Sequence, residues 1–130
     1  MDNSSCIFCQ LPQSRVVAES ELFNVILDGF SVTEGHSLII PKRHVETWFD
    51  LTEQEQQVSN QLLVELKDNH IEKDTSISGF NIGMNCGESA GQTVMHCHIH
   101  LIPRRDGDCE SPRGGVRGVI ASKQSYSDEP

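Results

Sequence analysis

The sequence of 130 residues contains no long apolar run. A membrane-spanning helix needs about 20 consecutive apolar residues, and no stretch approaches that length. Residues 1–5 also lack the charged and apolar regions of a secretory signal peptide. We therefore expect a cytoplasmic protein that has no membrane partner.

Basic residues are scarce, since 10 lysines and arginines stand against 19 aspartates and glutamates. The formal net charge of −9 repels nucleic acids and acidic membranes, so a nucleic-acid partner is not expected. The basic residues that follow an apolar run or a histidine-rich segment are Lys42, Arg43, Arg104, Arg105, Arg113 and Arg117. This placement fits recognition of a small anion, and it fits a set of solvated side chains equally well.

The cysteine content excludes a simple disulfide framework. The five cysteines are an odd number, which favours reduced thiols or a metal site. Cys6 and Cys9 have the Cys-x-x-Cys spacing of half a zinc site. The alternative is that both are small buried apolar side chains. Cys86, Cys97 and Cys109 have no partner motif.

Short apolar runs, separated by turn residues, predict one α+β domain with no internal repeat. Strands are predicted as a hairpin within residues 15–28 that breaks at 19–21, and at residues 37–41, 80–85 and 93–103. Thr52 and Glu55 form a capping box that begins a helix reaching residues 69–73, with His70 on its polar side at the surface. The apolar face of this helix comprises Val58, Leu62, Leu63 and Leu66. After Pro103 we expect irregular structure, and residues 116–120 are compatible with a short strand.

Three histidines occupy every second position of residues 93–103, TVMHCHIHLIP. Because the side chains of a strand alternate between its faces, His96, His98 and His100 should share one face. The opposite, core-facing set is Met95, Cys97, Ile99 and Leu101. Imidazoles have nitrogens that need polar partners, so this row favours a functional site over a solvated face. Metal binding fits it, and so does catalysis by a histidine nucleophile or base, with phosphorus as a natural target.

The segment from His96 to Ile102 resembles the alternating signature of the histidine triad (HIT) family. Three further stretches resemble family landmarks in the same order: residues 6–9, residues 35–44 and residues 91–93. The resemblance covers residues 6–105 and implies an antiparallel sheet of about five strands with one long and one short helix. It implies a HIT domain at residues 1–105, and a basic Gly/Ser/Pro-rich tail at 106–130 that belongs to the same domain.

The resemblance also implies catalytic roles. His98 is then the nucleophile that attacks the α-phosphorus of a nucleotide and becomes transiently nucleotidylated. His100 and His36 orient and polarise it, while Gln92 and Thr93 donate to the bridging or leaving oxygen. The third histidine, His100, resembles the hydrolase form, because transferases of the family have glutamine there. There is no Walker-type glycine loop that would indicate an ATPase.

Nucleotide contacts follow from the same resemblance. Asn85 is expected beside the phosphate, Asp28 on the two ribose hydroxyls, and Ile7, Phe8 and Ile26 in the base pocket. The alternative for Asn85 and Gln92 is a role in turns, and Asp28 before Gly29 is also typical of a turn. Such a site needs no organic cofactor.

Zinc-bearing relatives imply the two ligands that would complete the cysteine pair. By this resemblance His44 and His96 join Cys6 and Cys9. A Cys2His2 set has no open position, so the Zn²⁺ would be structural.

The leading functional prediction is a hydrolase that cleaves dinucleoside polyphosphates such as diadenosine tri- or tetraphosphate. It depends on residues 101–108, which resemble the dinucleotide-cleaving branch, although the Cys-x-x-Cys pair departs from that branch. The alternatives are a nucleoside phosphoramidase and a zinc-stabilised nucleotide-binding module with little catalysis. The resemblance implies a homodimer. A separate hypothesis, based on the basic residues of a flexible tail, is that Arg113 and Arg117 reach an active site of such a dimer and grip the distal nucleotide.

Overall fold

A computed structural model describes residues 5–126 of the chain. The strands are β1 (Val16–Glu19), β2 (Phe23–Leu27), β3 (Ser37–Pro41), β4 (Ile77–Gly83) and β5 (Ile99–Arg105), and the helix is α1 (Glu53–Lys73). The strands form one antiparallel sheet in the order β1-β2-β3-β5-β4. The predicted α+β fold is confirmed. The remaining helical turns of the described residues are 3₁₀, including Trp48–Asp50 and Gly115–Val119.

Helix α1 begins at the predicted capping box. The Thr52 hydroxyl accepts a hydrogen bond from the Glu55 amide at 3.1 Å, and the Glu55 carboxylate accepts one from the Thr52 amide at 2.8 Å. The buried Glu55 carboxylate also binds the Arg43 guanidinium at 2.8 Å. Within the described residues, no helix is both long enough and apolar enough to span a membrane.

The two faces of the sheet have separate apolar cores. Leu62 and Leu66 of α1 pack on one face, and the strand residues in that core are Phe23, Val25, Ile39, Ile99 and Leu101. On the other face, the N-terminal residue Phe8 packs on Ile26, Leu38 and Ile40. His100 lies between Leu38 of β3 and Gly83 of β4 in the strand register. The second face therefore carries the histidines, close to the N-terminal segment.

The histidine segment differs from its prediction as one long strand. Strand β5 begins only at Ile99, so His96 and His98 precede it. Cys97, Ile99 and Leu101 are buried as predicted, but Met95 is 38% exposed and the His96 side chain is fully buried. His96 is buried because its ring packs against Phe8, with 5.9 Å between ring centroids, and lies 3.3 Å from Cys6 Sγ. Phe8 also packs against His98 and belongs to the core of the second face, so the predicted shared side of the histidines agrees with these contacts. The exposure of Met95 is the departure from the predicted alternation.

Three local predictions also need correction. Strand β4 begins at Ile77, three residues before the predicted start. Residues 116–119 belong to a 3₁₀ helix rather than a strand, and Ile120 caps it. His70 is not a surface residue, because its ring packs against Gly35 and its Nε2 lies 3.3 Å from the buried Ser37 hydroxyl.

Candidate active site

His36 and His100 form a hydrogen-bonded relay on the open face of the sheet. The Val32 amide donates to His36 Nδ1 at 3.0 Å, so the neutral His36 ring carries its proton on Nε2. That Nε2–H donates to His100 Nδ1 at 2.9 Å. His100 must then carry its own proton on Nε2. The relay therefore presents an N–H donor at the outer nitrogen of His100.

His98 carries its ring proton on Nδ1, whereas His100 carries its proton on Nε2. The His98 Nδ1–H donates to the backbone carbonyl of His96 at 2.7 Å, which leaves the lone pair on Nε2. The ring of Phe8 packs edge-on against His98, with 5.0 Å between ring centroids. The outer nitrogen of His98 is thus a nucleophile or base beside the His100 donor, and their ring centroids are 5.3 Å apart.

Burial keeps the relay neutral. Desolvation lowers the pKa of His36, although the nearby Asp28 carboxylate acts in the opposite direction. Desolvation also lowers the pKa of His100, and the neighbouring His98 and His36 lower it further. A neutral imidazole pair preserves the donor direction described above, whereas a proton on His100 Nδ1 would remove the acceptor that His36 needs.

Asp28 lies at the end of β2, next to the relay. Its Oδ2 is 3.4 Å from His36 Nε2 and 3.9 Å from His100 Nδ1, while Oδ1 accepts from the Phe30 amide at 2.8 Å. The three groups are close enough to hold a metal ion. However, the Val32 amide fixes the His36 proton on Nε2, which blocks that nitrogen as a ligand. The arrangement is a hydrogen-bond network. Asp28 makes the turn contact that was the alternative for it, and its contact with ribose stays a prediction.

A cleft of about 330 Å³ opens in front of His98. This His98 cleft includes the predicted residues Ile7, Phe8, Ile26, Asp28, Asn85, Thr93, His98 and His100. Arg15 and Phe30 are among the lining residues that sequence reasoning did not assign to the site. Phe30 is 93% exposed, and the Arg15 guanidinium donates to the Leu27 carbonyl at 3.0 Å. Their positions in the sequence carry no motif that would have assigned either residue to the site.

A second cluster of potential metal ligands comprises Cys6, Cys9, His44 and His96. His96 Nδ1 is 3.3 Å from Cys6 Sγ, 3.5 Å from Cys9 Sγ and 3.2 Å from His44 Nδ1. Cys9 Sγ is 3.1 Å from His44 Nδ1. In a tetrahedral zinc site with ordinary bond lengths, two ligand atoms lie about 3.3–3.8 Å apart. The distances between the ligand atoms of this cluster are close to those values.

A hydrogen bond from His96 also orients its ring for metal binding. His96 Nε2–H donates to the Pro41 carbonyl at 2.8 Å, which leaves the lone pair on Nδ1, the nitrogen that faces the cysteines. The donor set therefore fits zinc, and all four predicted ligands come together although 90 residues separate Cys6 from His96.

Residues 11–107 of the chain match the family model of the HIT domain. The chain belongs to the HIT family. The model begins after Cys6 and Cys9, so the cysteine half of the metal cluster lies outside the matched residues.

Several HIT relatives are closely similar. HINT3, an adenylylsulfatase of Arabidopsis thaliana, is 38% identical over 112 residues, which cover 82% of this chain and 55% of that protein. The nitrilase and fragile histidine triad fusion protein NitFhit of Caenorhabditis elegans is 42% identical over 100 residues, or 76% of this chain and 21% of the fusion. The chain therefore spans about half of the first relative and about one-fifth of the second.

A solved HIT structure shares the fold. The crystal structure of a zinc-bound histidine triad family protein from Mycobacterium smegmatis superposes with a TM-score of 0.76. It is 33% identical and covers 85% of this chain and 82% of that one. This relative binds zinc, and the Cys/His cluster here is compatible with zinc.

Two predicted HIT site residues have different surroundings. Thr93 is exposed at the His98 cleft, where its hydroxyl is accessible. Gln92 is buried, and its amide donates to the carbonyls of Glu46 at 2.6 Å and Val94 at 3.1 Å. Its oxygen accepts from the Gly87 amide at 2.8 Å. Because both amide hydrogens are used, this geometry favours the turn role for Gln92, and its catalytic role stays a prediction.

Four of the six basic residues singled out in the sequence are engaged by carboxylates within residues 5–126. The pairs are Lys42 with Glu19, Arg43 with Glu55, Arg104 with Asp108 and Arg105 with Asp74. The pairing partners are distant in sequence in most cases, so residue spacing did not reveal them. These four pairs do not favour the small-anion alternative.

Buried histidines make HIT-domain stability depend on pH. Burial lowers the pKa of His36, His70 and His100 below the ordinary 6.5, and Lys73 and Arg105 lower that of His70 further. The unfolded chain binds protons that the folded chain does not, so the free energy of unfolding falls as the pH is lowered through 6.5. Each histidine contributes at most about 1.4 kcal/mol per pH unit. Thermal unfolding from pH 8 to pH 5 measures this, and His70→Gln should reduce the slope; a flat profile would contradict it.

Proposed function

We propose that this protein hydrolyses nucleotides at the α-phosphate through a nucleotidyl intermediate on His98. The observation that carries the proposal is the hydrogen bond from His98 Nδ1 to the His96 carbonyl, which leaves the lone pair of Nε2 available in the His98 cleft. Members of the family act on nucleotides, and the two named relatives are an adenylylsulfatase and a fragile histidine triad fusion.

The geometry supports a role for each side chain during binding. The nucleoside would enter the His98 cleft, with its base against Ile7, Phe8 and Ile26 and its ribose hydroxyls on the carboxylate of Asp28, whose oxygens have remaining lone pairs. The α-phosphate would then lie beside His98. Its oxygens would accept hydrogen bonds from the His100 Nε2–H and from the side chains of Asn85 and Thr93.

The reaction would proceed in two displacements. In the first, His98 Nε2 bonds to phosphorus while the leaving group departs with the electron pair of its bond. In the second, a water oxygen bonds to phosphorus, the bond to His98 breaks, and the water proton passes to solvent. The product is a nucleoside monophosphate, and the neutral ring is restored. The relay holds His100 as a fixed donor throughout, which is the positioning on which phosphoryl transfer depends.

Dinucleoside polyphosphates are the leading substrate class, because residues 101–108 resemble the branch that cleaves them. A nucleoside phosphoramidase is favoured by a separate observation. Arg104 binds Asp108 at 2.7 Å, and Arg105 binds Asp74 at the end of α1 at 2.9 Å. Neither arginine is then free to neutralise a polyphosphate chain.

We also infer that Cys6, Cys9, His44 and His96 hold a structural zinc ion, since four protein ligands leave no open position. A homodimer is proposed as well. It is supported by β4, which is an edge strand of the sheet and so has one side available for pairing.

Trapping of the intermediate tests the proposed mechanism. The protein is mixed with diadenosine triphosphate or with adenosine phosphoramidate, denatured within milliseconds and weighed by mass spectrometry. We expect a mass increase of one adenylyl group, located on His98 by peptide mapping. Tight nucleotide binding without an adduct or turnover would instead identify a binding module, and would overturn the proposal.

A further inference from the structure

The His98 cleft extends from the histidines toward the edge of the sheet at β1. Its lining includes His98 and His100, then Asp28 at the end of β2, and Arg15, the residue before β1. In the strand order, β2 separates β1 from β3 and β5. A nucleotide with its phosphate beside His98 and its ribose on Asp28 would therefore extend its base toward Arg15.

Phe30 presents an uncovered aromatic ring at this end of the cleft. The residue lines the cleft and is 93% exposed. Its amide donates to Asp28 Oδ1 at 2.8 Å, so the backbone of Phe30 is held next to the carboxylate proposed for the ribose. The preceding Gly29 has no side chain, and nothing lies within 4 Å of the position that a Cβ would occupy there. The ring is therefore accessible to a base, and any base can stack on an aromatic side chain through its flat face.

Arg15 is a cation at the same end of the cleft. One of its terminal nitrogens donates to the Leu27 carbonyl at 3.0 Å, and Leu27 directly precedes Asp28. None of the ion pairs among residues 5–126 includes Arg15. A guanidinium has five N–H donors in a planar fork. The bond to Leu27 therefore holds the guanidinium in place and leaves other donors for a ligand.

The two arginines of the tail have a different position. The guanidinium groups of Arg113 and Arg117 lie over the Tyr126 ring, at 4.7 and 4.9 Å from its centroid. Neither residue lines the His98 cleft, where Arg15 is the one arginine or lysine among the described residues. A contact of the tail with a distal nucleotide stays a prediction, and Arg15 is the arginine that a bound nucleoside would meet.

We propose that Arg15 and Phe30 select guanine as the base of the substrate. This inference rests on the proposed function, which provides the position of the phosphate at His98. One edge of guanine presents two acceptors, O6 and N7, and a guanidinium can donate to both at once. Adenine has the N6 amine in place of O6, so its donor would face the donors of Arg15. The Phe30 ring would cover the base from the open side of the cleft, while the buried side chains of Phe8 and Ile26 contact it from inside.

Three nucleoside 5′-phosphoramidates that differ only in the base test the role of Arg15. They contain guanosine, adenosine and inosine, and inosine keeps O6 and N7 but lacks the N2 amine of guanosine. We expect kcat/KM for guanosine and for inosine to exceed that for adenosine by at least about fivefold, the lower end of what a bidentate arginine provides. A preference for guanosine that inosine does not share would assign recognition to the N2 amine and would overturn the role of Arg15.

Substitutions of Arg15 locate the preference. The side chain is exposed, so Arg15→Ala should fold normally, and it should reduce the preference below about twofold with adenosine turnover almost unchanged. Arg15→Lys should keep only part of the preference, because a single ammonium group does not match two acceptors in one plane. Lys67→Ala is the matched control, since it removes a positive charge from α1 outside the His98 cleft and should preserve the preference.

Fluorescence of a Phe30→Trp variant tests the stacking contact without any turnover. We expect guanosine monophosphate to quench the emission of the introduced indole. Phe49→Trp is the matched control, because Phe49 is 79% exposed and does not line the His98 cleft, and its indole should respond little. Phe30→Ala should raise the Kd for guanosine monophosphate by about tenfold, as loss of one base–aromatic stack predicts.

The outcomes separate the inference from the proposed function. An adduct on His98 with equal kcat/KM for the three bases would overturn the guanine preference and leave the mechanism standing. An equal loss for all three bases in Arg15→Ala would assign Arg15 to a phosphate and would also overturn the preference. An unquenched indole in Phe30→Trp would reject the stacking contact. Quenching and guanine-selective binding without an adduct on His98 would support the base site and overturn the proposed function.

Discussion

Replacement of His98 by glycine should abolish nucleotide turnover, with kcat falling by at least about 10⁴-fold. The His98 ring would form the bond to phosphorus, and its Nδ1 is held by the His96 carbonyl at 2.7 Å. In the described cleft the other imidazole that faces the substrate, His100, receives the His36 proton on Nδ1 and carries its own on Nε2. It therefore has no outward lone pair with which to replace His98. Steady-state and single-turnover kinetics measure the loss.

Two observations distinguish loss of the nucleophile from loss of the fold. Added imidazole should restore part of the turnover of His98→Gly by occupying the vacated space, and adenosine monophosphate should still bind. His70→Gln serves as the matched control, because this histidine contacts Ser37 and Gly35 rather than the His98 cleft, and its turnover should fall less than tenfold. If His98→Gly retained more than about one-tenth of the turnover, another group would be the nucleophile.

Loss of the cysteine pair should be the second largest effect. Cys6→Ser with Cys9→Ser removes two of the four proposed zinc ligands. A ligand present at 1,000 times its Kd stabilises the folded state by about 4 kcal/mol. For a domain of this size, that corresponds to a decrease in Tm of roughly 10–15 °C. Metal analysis of the purified protein and thermal unfolding measure the two consequences together.

The same variant should lose activity, because the His96 residue serves both sites. Its ring faces the cysteines, and its carbonyl holds His98. Release of the ring would shift the carbonyl, and a misplacement of about 1 Å can cost about 100-fold in rate. Cys109→Ser is the matched control for zinc content and Tm, since this exposed thiol lies outside the cluster. Full zinc content in the double variant would contradict the proposed ligands.

Local signals in the sequence predicted much of the fold. Strand β3 has the predicted bounds, and α1 begins at the predicted capping box because the Thr52 and Glu55 side chains bond to each other's amides. The hairpin of β1 and β2 is also confirmed. These features depend on neighbouring residues, which is why a single sequence reveals them.

Long-range contacts account for what the sequence did not predict. His96 is fully buried because its ring meets Phe8, Cys6 and Cys9 near the start of the chain, and strand alternation has no information about those partners. The pairing of Arg105 with Asp74, and of Arg43 with Glu55, likewise depends on how the elements pack.

The match to the HIT family model ends at residue 107. Substitutions before this residue and substitutions after it should have different consequences. Before it lie all the histidines of the relay and of the His98 cleft, where the hydrogen-bond directions tolerate few exchanges. After it lies a short folded segment whose valines are mostly exposed and whose own contacts are made largely by Gln124 and Tyr126. Divergence or engineering of this segment would reshape the space beside His100 and leave the proposed catalytic histidines as they are.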